Sequence, residues 1–171
     1  DGLSGLIIDR FTNEKFSVYV VQPHASGMDR NLELIVAALK TVIQELDQGK
    51  KQAAILRRDA GSREREGIEK HAPLAMNLKT GATLDDVAAF QDFSFTVPGE
   101  DGKNLELRCN LISGQKTGFF FDQLANVKLV QQLMRQNVLE KKSAEAGYRI
   151  LDLCTYVGQW SAHLAQTAMQ L

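Results

Sequence analysis

Several features that often reveal a protein's class are scarce in this 171-residue sequence. It has two cysteines, Cys109 and Cys154, in no CxxC or Cys/His arrangement, so neither a disulfide framework nor a zinc site is indicated. Its apolar runs are far shorter than the roughly 18–20 residues that span a membrane, and no signal-peptide pattern opens the chain. These absences predict a cytoplasmic protein without a membrane segment.

The sequence also has no large excess of positive or negative charge. Twenty basic and 21 acidic residues give a formal net charge of −1. Such a balance excludes nucleic-acid binding by overall charge alone, although it allows a local basic face. The three histidines, His24, His71 and His163, are scattered without a common spacing, so no metal site is predicted.

What is present is the composition of a globular protein, with 44% apolar and 24% charged residues. Residues 1–112 predict a hairpin over 3–11 and 15–22, a helix over 31–46, a strand over 52–59, a turn or short helix over 60–71, and a second hairpin over 90–98 and 104–112. This order, strand-strand-helix-strand and then a strand hairpin, predicts an α+β central domain. This domain is a candidate for the part of the protein that faces RNA or another substrate.

From residue 113 onward the pattern becomes that of an α/β domain. It predicts a helix over 122–142, a strand over 148–156, a tight turn at Gly158 and a helix over 161–171. Asp122 is the predicted N-cap of the first helix, and Lys141 and Lys142 favour its C-terminal end. Because only one strand of a Rossmann-like sheet is present, we expect 113–171 to be the truncated N-terminal part of such a domain.

The stretch "GQKTGFFFDQ", residues 114–123, places three phenylalanines beside a glycine-flanked polar loop. A pocket that holds a flat polar ligand needs both rings and hydrogen-bonding groups. Taken singly, each phenylalanine is better explained by packing in the core.

The stretch "LDLCTYVGQW", residues 151–160, places Asp152 in the predicted strand and Gly158 at the turn into the following helix. A ligand could lie against the backbone N–H groups at that helix start. The dinucleotide fingerprint GxGxxG is absent, which favours a ligand without phosphates. A plain strand–helix turn that binds nothing is the alternative.

Taken together, these two stretches resemble the pair of S-adenosylmethionine motifs of class I RNA methyltransferases. The segments "GLSGLIIDRF", "VVQPHASGMDR" and "RRDAGSREREGI" are similar, in order and spacing, to the central part of one subgroup, the ribosomal large-subunit RNA methyltransferase I family, which acts on cytosine C5. The resemblance implies a PUA domain, a central α+β domain and a methyltransferase domain. This chain then holds the central domain and the front of the methyltransferase domain.

The resemblance also implies the chemistry. S-adenosylmethionine is the expected small-molecule methyl donor, and a cytosine of 23S ribosomal RNA is the expected target. The catalytic residues are expected in the C-terminal part that this chain lacks, so none is assigned here. The fragment by itself is expected to be inactive.

For single positions, the resemblance implies that Lys116 meets the cofactor carboxylate and that Asp152 and Tyr156 contact its methionine end. The implied cofactor-binding residues are Gln115, Lys116, Thr117, Gly118, Phe119, Asp122, Asp152, Tyr156 and Gly158. The chain departs from the family at Leu124 and Val127, which replace arginines, and at Gln159, which replaces a second glycine of the turn.

Cys109 and Cys154 are predicted to be structural, because the resemblance implies that the nucleophilic cysteine of the family lies further along the chain. The segment "RRDAGSREREG", residues 57–67, mixes arginines with acids. A solvated charged face is the simpler interpretation, and contact with an RNA backbone is the alternative.

Two rival functions remain open. The turn at Gly158 also fits a fragment of a nicotinamide-dependent oxidoreductase, because both folds share a strand–helix turn. Alternatively, residues 1–112 form a stand-alone RNA-binding module, which leaves "GQKTGFFFDQ" unexplained.

Overall fold

The computed structural model describes residues 3–47, 49–140 and 149–171, with 137–140 described by their backbone alone. The predicted helix end at Lys141 and Lys142 and the start of the predicted strand at Tyr148 lie outside these ranges.

The described residues form both strands and helices, which confirms the prediction of a mixed α and β protein. The strands are β1 Leu6–Thr12, β2 Phe16–Pro23, β3 Lys51–Leu56, β4 Leu74–Asn77, β5 Phe93–Pro98 and β6 Asn104–Cys109. The helices are α1 Ser26–Arg30, α2 Leu32–Leu46, α3 Ser62–Arg65, α4 Ala88–Gln91, α5 Leu124–Glu140 and α6 Gln159–Ala168. No helix within the described ranges is long and apolar enough to cross a bilayer.

These elements form two compact units. The first contains the chain up to Phe93 together with Asn110–Gly118, and the second contains Ser94–Cys109 together with the chain from Phe119 onward. The sequence-based division into domains at residues 112 and 113 stays a prediction.

A four-stranded sheet in the order β1-β2-β3-β4 forms the first unit. β1 and β2 are antiparallel, β2 and β3 are parallel, and β3 and β4 are antiparallel. Helix α2 covers this sheet with Val36, Leu39 and Ile43, which pack on core residues of β2 and β3. The apolar stripe of α2 is wider than its buried face, because Val42 and Leu46 are exposed.

The parallel pairing brings the carboxyl ends of β2 and β3 to one edge of the sheet. Val21 lies opposite Leu56, and the Arg57 N–H donates to the Val21 carbonyl oxygen at 2.8 Å. Gln22 and Arg57 therefore stand on adjacent chains at this edge. In open α/β sheets this is the edge where ligands bind.

The second unit contains the β5–β6 sheet and helices α5 and α6. Gln131 of α5 joins the two helices, because its side-chain N–H groups donate to the His163 carbonyl oxygen at 3.1 Å and to Thr167 Oγ1 at 2.9 Å. All three residues are buried.

Two local predictions in this unit are wrong. The structure has no strand over 149–156, because no other strand pairs with this segment among the described residues and a strand needs a partner ladder. Helix α5 begins at Leu124 and not at Asp122, since Asp122 lies inside a 3-10 turn, Phe121–Gln123, that runs directly into the helix.

Candidate functional site

The first candidate segment is the 110–118 loop, which follows β6 and belongs to the first unit. Asn110 shapes its start, because Oδ1 accepts the N–H groups of Ile112 at 2.9 Å and Ser113 at 2.8 Å. The Gly114 N–H donates to the Asn110 carbonyl at 3.0 Å, and the Gly118 N–H donates to the Gln115 carbonyl at 2.9 Å. The loop is therefore two successive hydrogen-bonded turns.

Buried polar side chains of the sheet hold this loop. Gln22 Nε2 donates to the Lys116 carbonyl oxygen at 2.8 Å. Arg57 Nη1 donates to the carbonyl oxygens of Gly114 at 3.1 Å and Leu111 at 3.4 Å.

The hydroxyl of Thr117 supplies a further bond to the sheet. It donates to Asp9 Oδ2 at 2.5 Å, and the Thr117 side chain is fully buried. The backbone of the loop is thus fixed on both sides of Lys116.

Lys116 itself is exposed and has φ 51°, in the left-handed region. A non-glycine residue there costs on the order of 1–2 kcal/mol relative to the right-handed region. Strained residues of this kind cluster at functional sites, so the observed outlier supports a functional hypothesis. Gly118 has φ 112°, and a Cβ there would lie 2.9 Å from the Asn110 carbonyl oxygen, so the position requires glycine.

The second candidate segment is the 152–158 loop in front of α6. Asp152 organises it, because Oδ1 accepts the Cys154 N–H at 3.2 Å and Oδ2 accepts the Ser161 hydroxyl at 2.8 Å. Thr155 Oγ1 donates to the Asp152 carbonyl at 3.0 Å, and the Gly158 N–H donates to the Thr155 carbonyl at 2.7 Å. Since a carboxylate has about four acceptor positions, Asp152 keeps capacity for a ligand.

Backbone in the left-handed region closes the 152–158 loop. Gly158, the residue before α6, has φ 75°, and Tyr156 has φ 47°. The ring of Tyr156 meets the ring of Phe120 edge to face, with centroids 5.5 Å apart. Among the described non-glycine residues, positive φ occurs at Asp101, Lys116 and Tyr156. Two of these are residues that the sequence resemblance assigns to the cofactor.

Beside this loop lies an open cleft of ≈ 360 Å³. Its lining combines an apolar wall with one carboxylate and one ring: Ile150, Leu151, Asp152, Leu153, Cys154, Trp160 and Leu164. Leu151 and Leu153 are more than 80% exposed, at 81% and 83%. The cleft is therefore a large apolar surface beside an acidic group.

The three consecutive phenylalanines differ in how deeply they are buried. Phe119 is 1% exposed and lies edge to face against Phe95 and Phe121, with centroids 5.1 Å and 4.9 Å apart. Phe120 and Phe121 are half-buried. Phe119 is thus a core residue of the second unit, and Phe120 is the ring that reaches Tyr156.

The predicted site residues divide between the two units. Gln115, Lys116, Thr117 and Gly118 belong to the first, and Phe119, Asp122, Asp152, Tyr156 and Gly158 belong to the second. Within the first group, Gln115 and Lys116 are exposed whereas Thr117 and Gly118 are buried. In the second group, the structure places Asp152, Tyr156 and Gly158 in one loop, and Asp122 is exposed before α5.

The arginine-rich segment is where the prediction fails. Arg57 and Arg63 are buried, with Arg63 at 0% exposure, so for these two both the solvated face and the RNA contact are wrong. Arg63 donates to the carbonyl oxygens of Pro23 and Glu69 and to Asp29. The sequence feature that could have indicated the burial of Arg57 is its position directly after an apolar strand.

The two cysteines differ in environment. Cys109 is buried, and burial raises the pKa of its thiol to about 12, which makes a nucleophilic role at neutral pH implausible. Cys154 is exposed in the 152–158 loop. Within the described ranges, no group of three His, Cys, Asp or Glu side chains could hold a metal ion.

Comparison with known proteins gives two relatives. The chain is 28% identical over 167 residues to a protein of Methanocaldococcus jannaschii named as a candidate ribosomal RNA large subunit methyltransferase, covering 96% of this chain and 33% of that protein. It is 30% identical over 132 residues to the ribosomal RNA large subunit methyltransferase I of Pseudoalteromonas atlantica, covering 77% of this chain and 27% of that protein.

No protein-family model matches the chain, and no solved structure matches it. The chain spans about a third of the first relative and about a quarter of the second. By sequence, it is similar to parts of proteins named as ribosomal RNA large subunit methyltransferases.

Proposed function

We propose that this chain is part of an S-adenosylmethionine-dependent methyltransferase that modifies large-subunit ribosomal RNA in the cytoplasm. The observation that carries the proposal is the sequence similarity to two proteins of that name, over 96% and 77% of the chain. Cytosine C5 is the proposed target by the family resemblance. The groups that attack the base are proposed to belong to the part of the relatives that the chain does not span.

The second unit has groups that fit the methyl donor. S-adenosylmethionine carries an adenine, an ammonium, a carboxylate and a sulfonium whose methyl group is electrophilic. The cleft beside the 152–158 loop falls within the ordinary size range of small-molecule sites, roughly 300–1,000 Å³, and its apolar wall suits a flat ring. Asp152 can accept hydrogen bonds from an ammonium. The left-handed Gly158 leaves the start of α6 open, because no atom beyond its two chain neighbours lies within 4 Å of an added Cβ.

In the first unit, the exposed members of the predicted set are the proposed contacts. Lys116 carries a positive charge that suits a carboxylate, and Gln115 offers an amide. Thr117 already donates its hydroxyl proton to Asp9, so we assign it to holding the loop. Its buried position explains why a threonine follows two exposed polar residues.

The cleft can be tested directly, because Trp160 is the single tryptophan of the chain and lines it. Adding S-adenosylmethionine or S-adenosylhomocysteine should change Trp160 fluorescence in a saturable manner, while NAD should not. Loss of the optical change in a Trp160→Phe variant would identify Trp160 as the source of the signal. Saturable binding of NAD instead would favour the oxidoreductase alternative.

The contact residues can be tested by calorimetry. Lys116→Ala should weaken the affinity for S-adenosylmethionine about tenfold, the value of one charge-assisted hydrogen bond. Lys15→Ala is the matched control, since Lys15 is an exposed lysine in the first hairpin of the same unit. Equal affinities of the two variants would remove Lys116 from the site.

A further inference from the structure

Hydrogen bonds from Gln22 and Arg57 fix the 110–118 loop against the sheet. The inference drawn from them rests on the proposed function. We propose that Gln22 and Arg57 are positioning residues: they hold the backbone around Lys116 so that its ammonium is presented to the anionic group of the methyl donor. Neither residue was singled out for this role by the sequence, and neither needs to touch the ligand.

Gln22 controls the peptide that follows Lys116. Its amide lies at the carboxyl end of β2, the residue is 4% exposed, and its Nε2 donates to the Lys116 carbonyl oxygen at 2.8 Å. Rotation of that peptide would leave a buried donor unpaired, which is strongly unfavourable. The left-handed φ of Lys116 is therefore coupled to one buried amide.

Arg57 controls the first turn of the loop. Its Nε and Nη2 donate to the two oxygens of Asp59 at 2.9 Å and 3.0 Å, while Nη1 donates to the carbonyl oxygens of Gly114 and Leu111. Asp59 balances the charge of Arg57, so this buried guanidinium does not compete with Lys116 for an anion. A lysine offers one compact ammonium and cannot make this set of bonds.

The test is a double-variant cycle measured by calorimetric titration of S-adenosylmethionine into the whole chain. Gln22→Met removes the donor while keeping the shape, and we expect it to weaken affinity about tenfold, as expected for one lost hydrogen bond. If Gln22 acts through Lys116, then Gln22→Met combined with Lys116→Ala should bind no more weakly than Lys116→Ala alone. A merely structural role would instead multiply the two losses.

Gln52→Met is the matched control. Gln52 is also a buried glutamine whose Nε2 donates to a backbone carbonyl, that of Asp47, but it lies near the amino end of β3, away from the loop edge. It should lower thermal stability and leave the affinity within about twofold of the original chain, since sites without shared partners act independently.

A second readout does not depend on the ligand. The Gly118 N–H donates to the Gln115 carbonyl, so its hydrogen exchange reports whether the loop stays closed. Gln22→Met and Arg57→Lys should speed this exchange at least tenfold, whereas Gln52→Met should not. Gln22→Asn, which keeps the amide but shortens its reach, replaces Gln22→Met if that variant does not fold.

The outcomes separate the two proposals. If the original chain binds no methyl donor, the cofactor assignment fails, and the exchange of the Gly118 amide still decides the positioning role. Unchanged exchange in both Gln22→Met and Arg57→Lys overturns the inference. So does multiplicative loss of affinity in the double variant, or full affinity in a folded Gln22→Met.

Discussion

At the scale of single residues, the backbone of Lys116 is the most informative feature. Its left-handed conformation is costly, and the buried amide of Gln22 maintains it. Nature commonly places glycine or asparagine at such φ values. Because strained residues cluster at functional sites, the strain at this lysine supports the proposed contact to an anion.

The first prediction at this scale concerns that strain. Lys116→Gly should raise the free energy of unfolding by about 0.5–1 kcal/mol, because relief of left-handed strain exceeds the entropic cost of glycine. The same change should weaken binding of S-adenosylmethionine. Chemical denaturation and calorimetry measure the two effects, and Lys15→Gly, which has no positive φ to relieve, should be no more stable than the original chain.

The second prediction concerns Asp47, which follows α2 and is 3% exposed. Burial alone would raise the pKa of its carboxyl, but hydrogen bonds from Arg10, Tyr19 and Ser17 outweigh burial and lower the pKa to about 2. A depressed pKa stabilises the fold above the unfolded value near 4, and this contribution is lost as pH falls toward 2.

Acid unfolding monitored by circular dichroism measures this contribution. Between pH 4 and pH 2 the original chain should lose on the order of 2 kcal/mol more stability than Asp47→Asn, which cannot titrate at this position. Parallel acid profiles of the two proteins would contradict the assignment.

At the scale of elements, the α5–α6 contact depends on buried polar groups. His163 of α6 is buried, and its Nε2 has no hydrogen-bond partner among the described residues. Burial lowers the pKa of His163, Glu100 raises it, Lys128 lowers it, and the result is a net lowering. The imidazole is therefore expected to be neutral in the folded unit.

The corresponding prediction is a loss of stability in mild acid. The unfolded chain binds a proton at His163 below about pH 6.5, whereas the folded unit resists it, so stability should fall as pH decreases from 7 to 5. Thermal unfolding across this range should show a smaller slope for His163→Leu.

Local patterns were sufficient for most elements. Both hairpins and helices α2 and α5 were predicted from spacing alone, because their hydrogen bonds join residues that are close in sequence. The prediction of a strand over 148–156 was wrong for residues 149–156, which the structure describes. A strand needs a pairing partner, and a local sequence pattern does not contain that partner. The short strand β4 was missed for the same reason.

Lys116 and Tyr156, which the sequence resemblance assigns to the cofactor, both have left-handed backbone, and their contact with a ligand stays a prediction. The burial of Arg57, and the bonds from Gln22 and Asp9 to the loop, join residues more than 50 positions apart. Such pairing depends on the completed sheet, so no local pattern reveals it.

At the scale of the whole molecule, the chain passes between its two units at 93–94, 109–110 and 118–119. The segment "GQKTGFFFDQ" is therefore shared, with its polar half in the first unit and its aromatic half in the second. The polar half exposes Gln115 and Lys116 in the first unit, whereas the aromatic half buries Phe119 in the second.

The prediction at this scale concerns activity. The 171-residue chain should transfer no methyl group to ribosomal RNA, while a longer protein that covers the full length of its relatives should do so. Incorporation of radiolabelled methyl groups measures both. Transfer by the chain alone would place the reacting groups within these residues and would contradict the proposed arrangement.

The internal ion pairs of Arg57 and Arg63 also affect the expected electrostatic binding of the protein to a polyanion. A cation contributes to RNA affinity largely by displacing counterions condensed on the phosphates. Arg57 is committed to Asp59 and Arg63 to Asp29, and both are shielded from solvent. Neither can release a counterion, so the salt dependence of the proposed RNA binding should reflect fewer cations than the arginine-rich segment suggests.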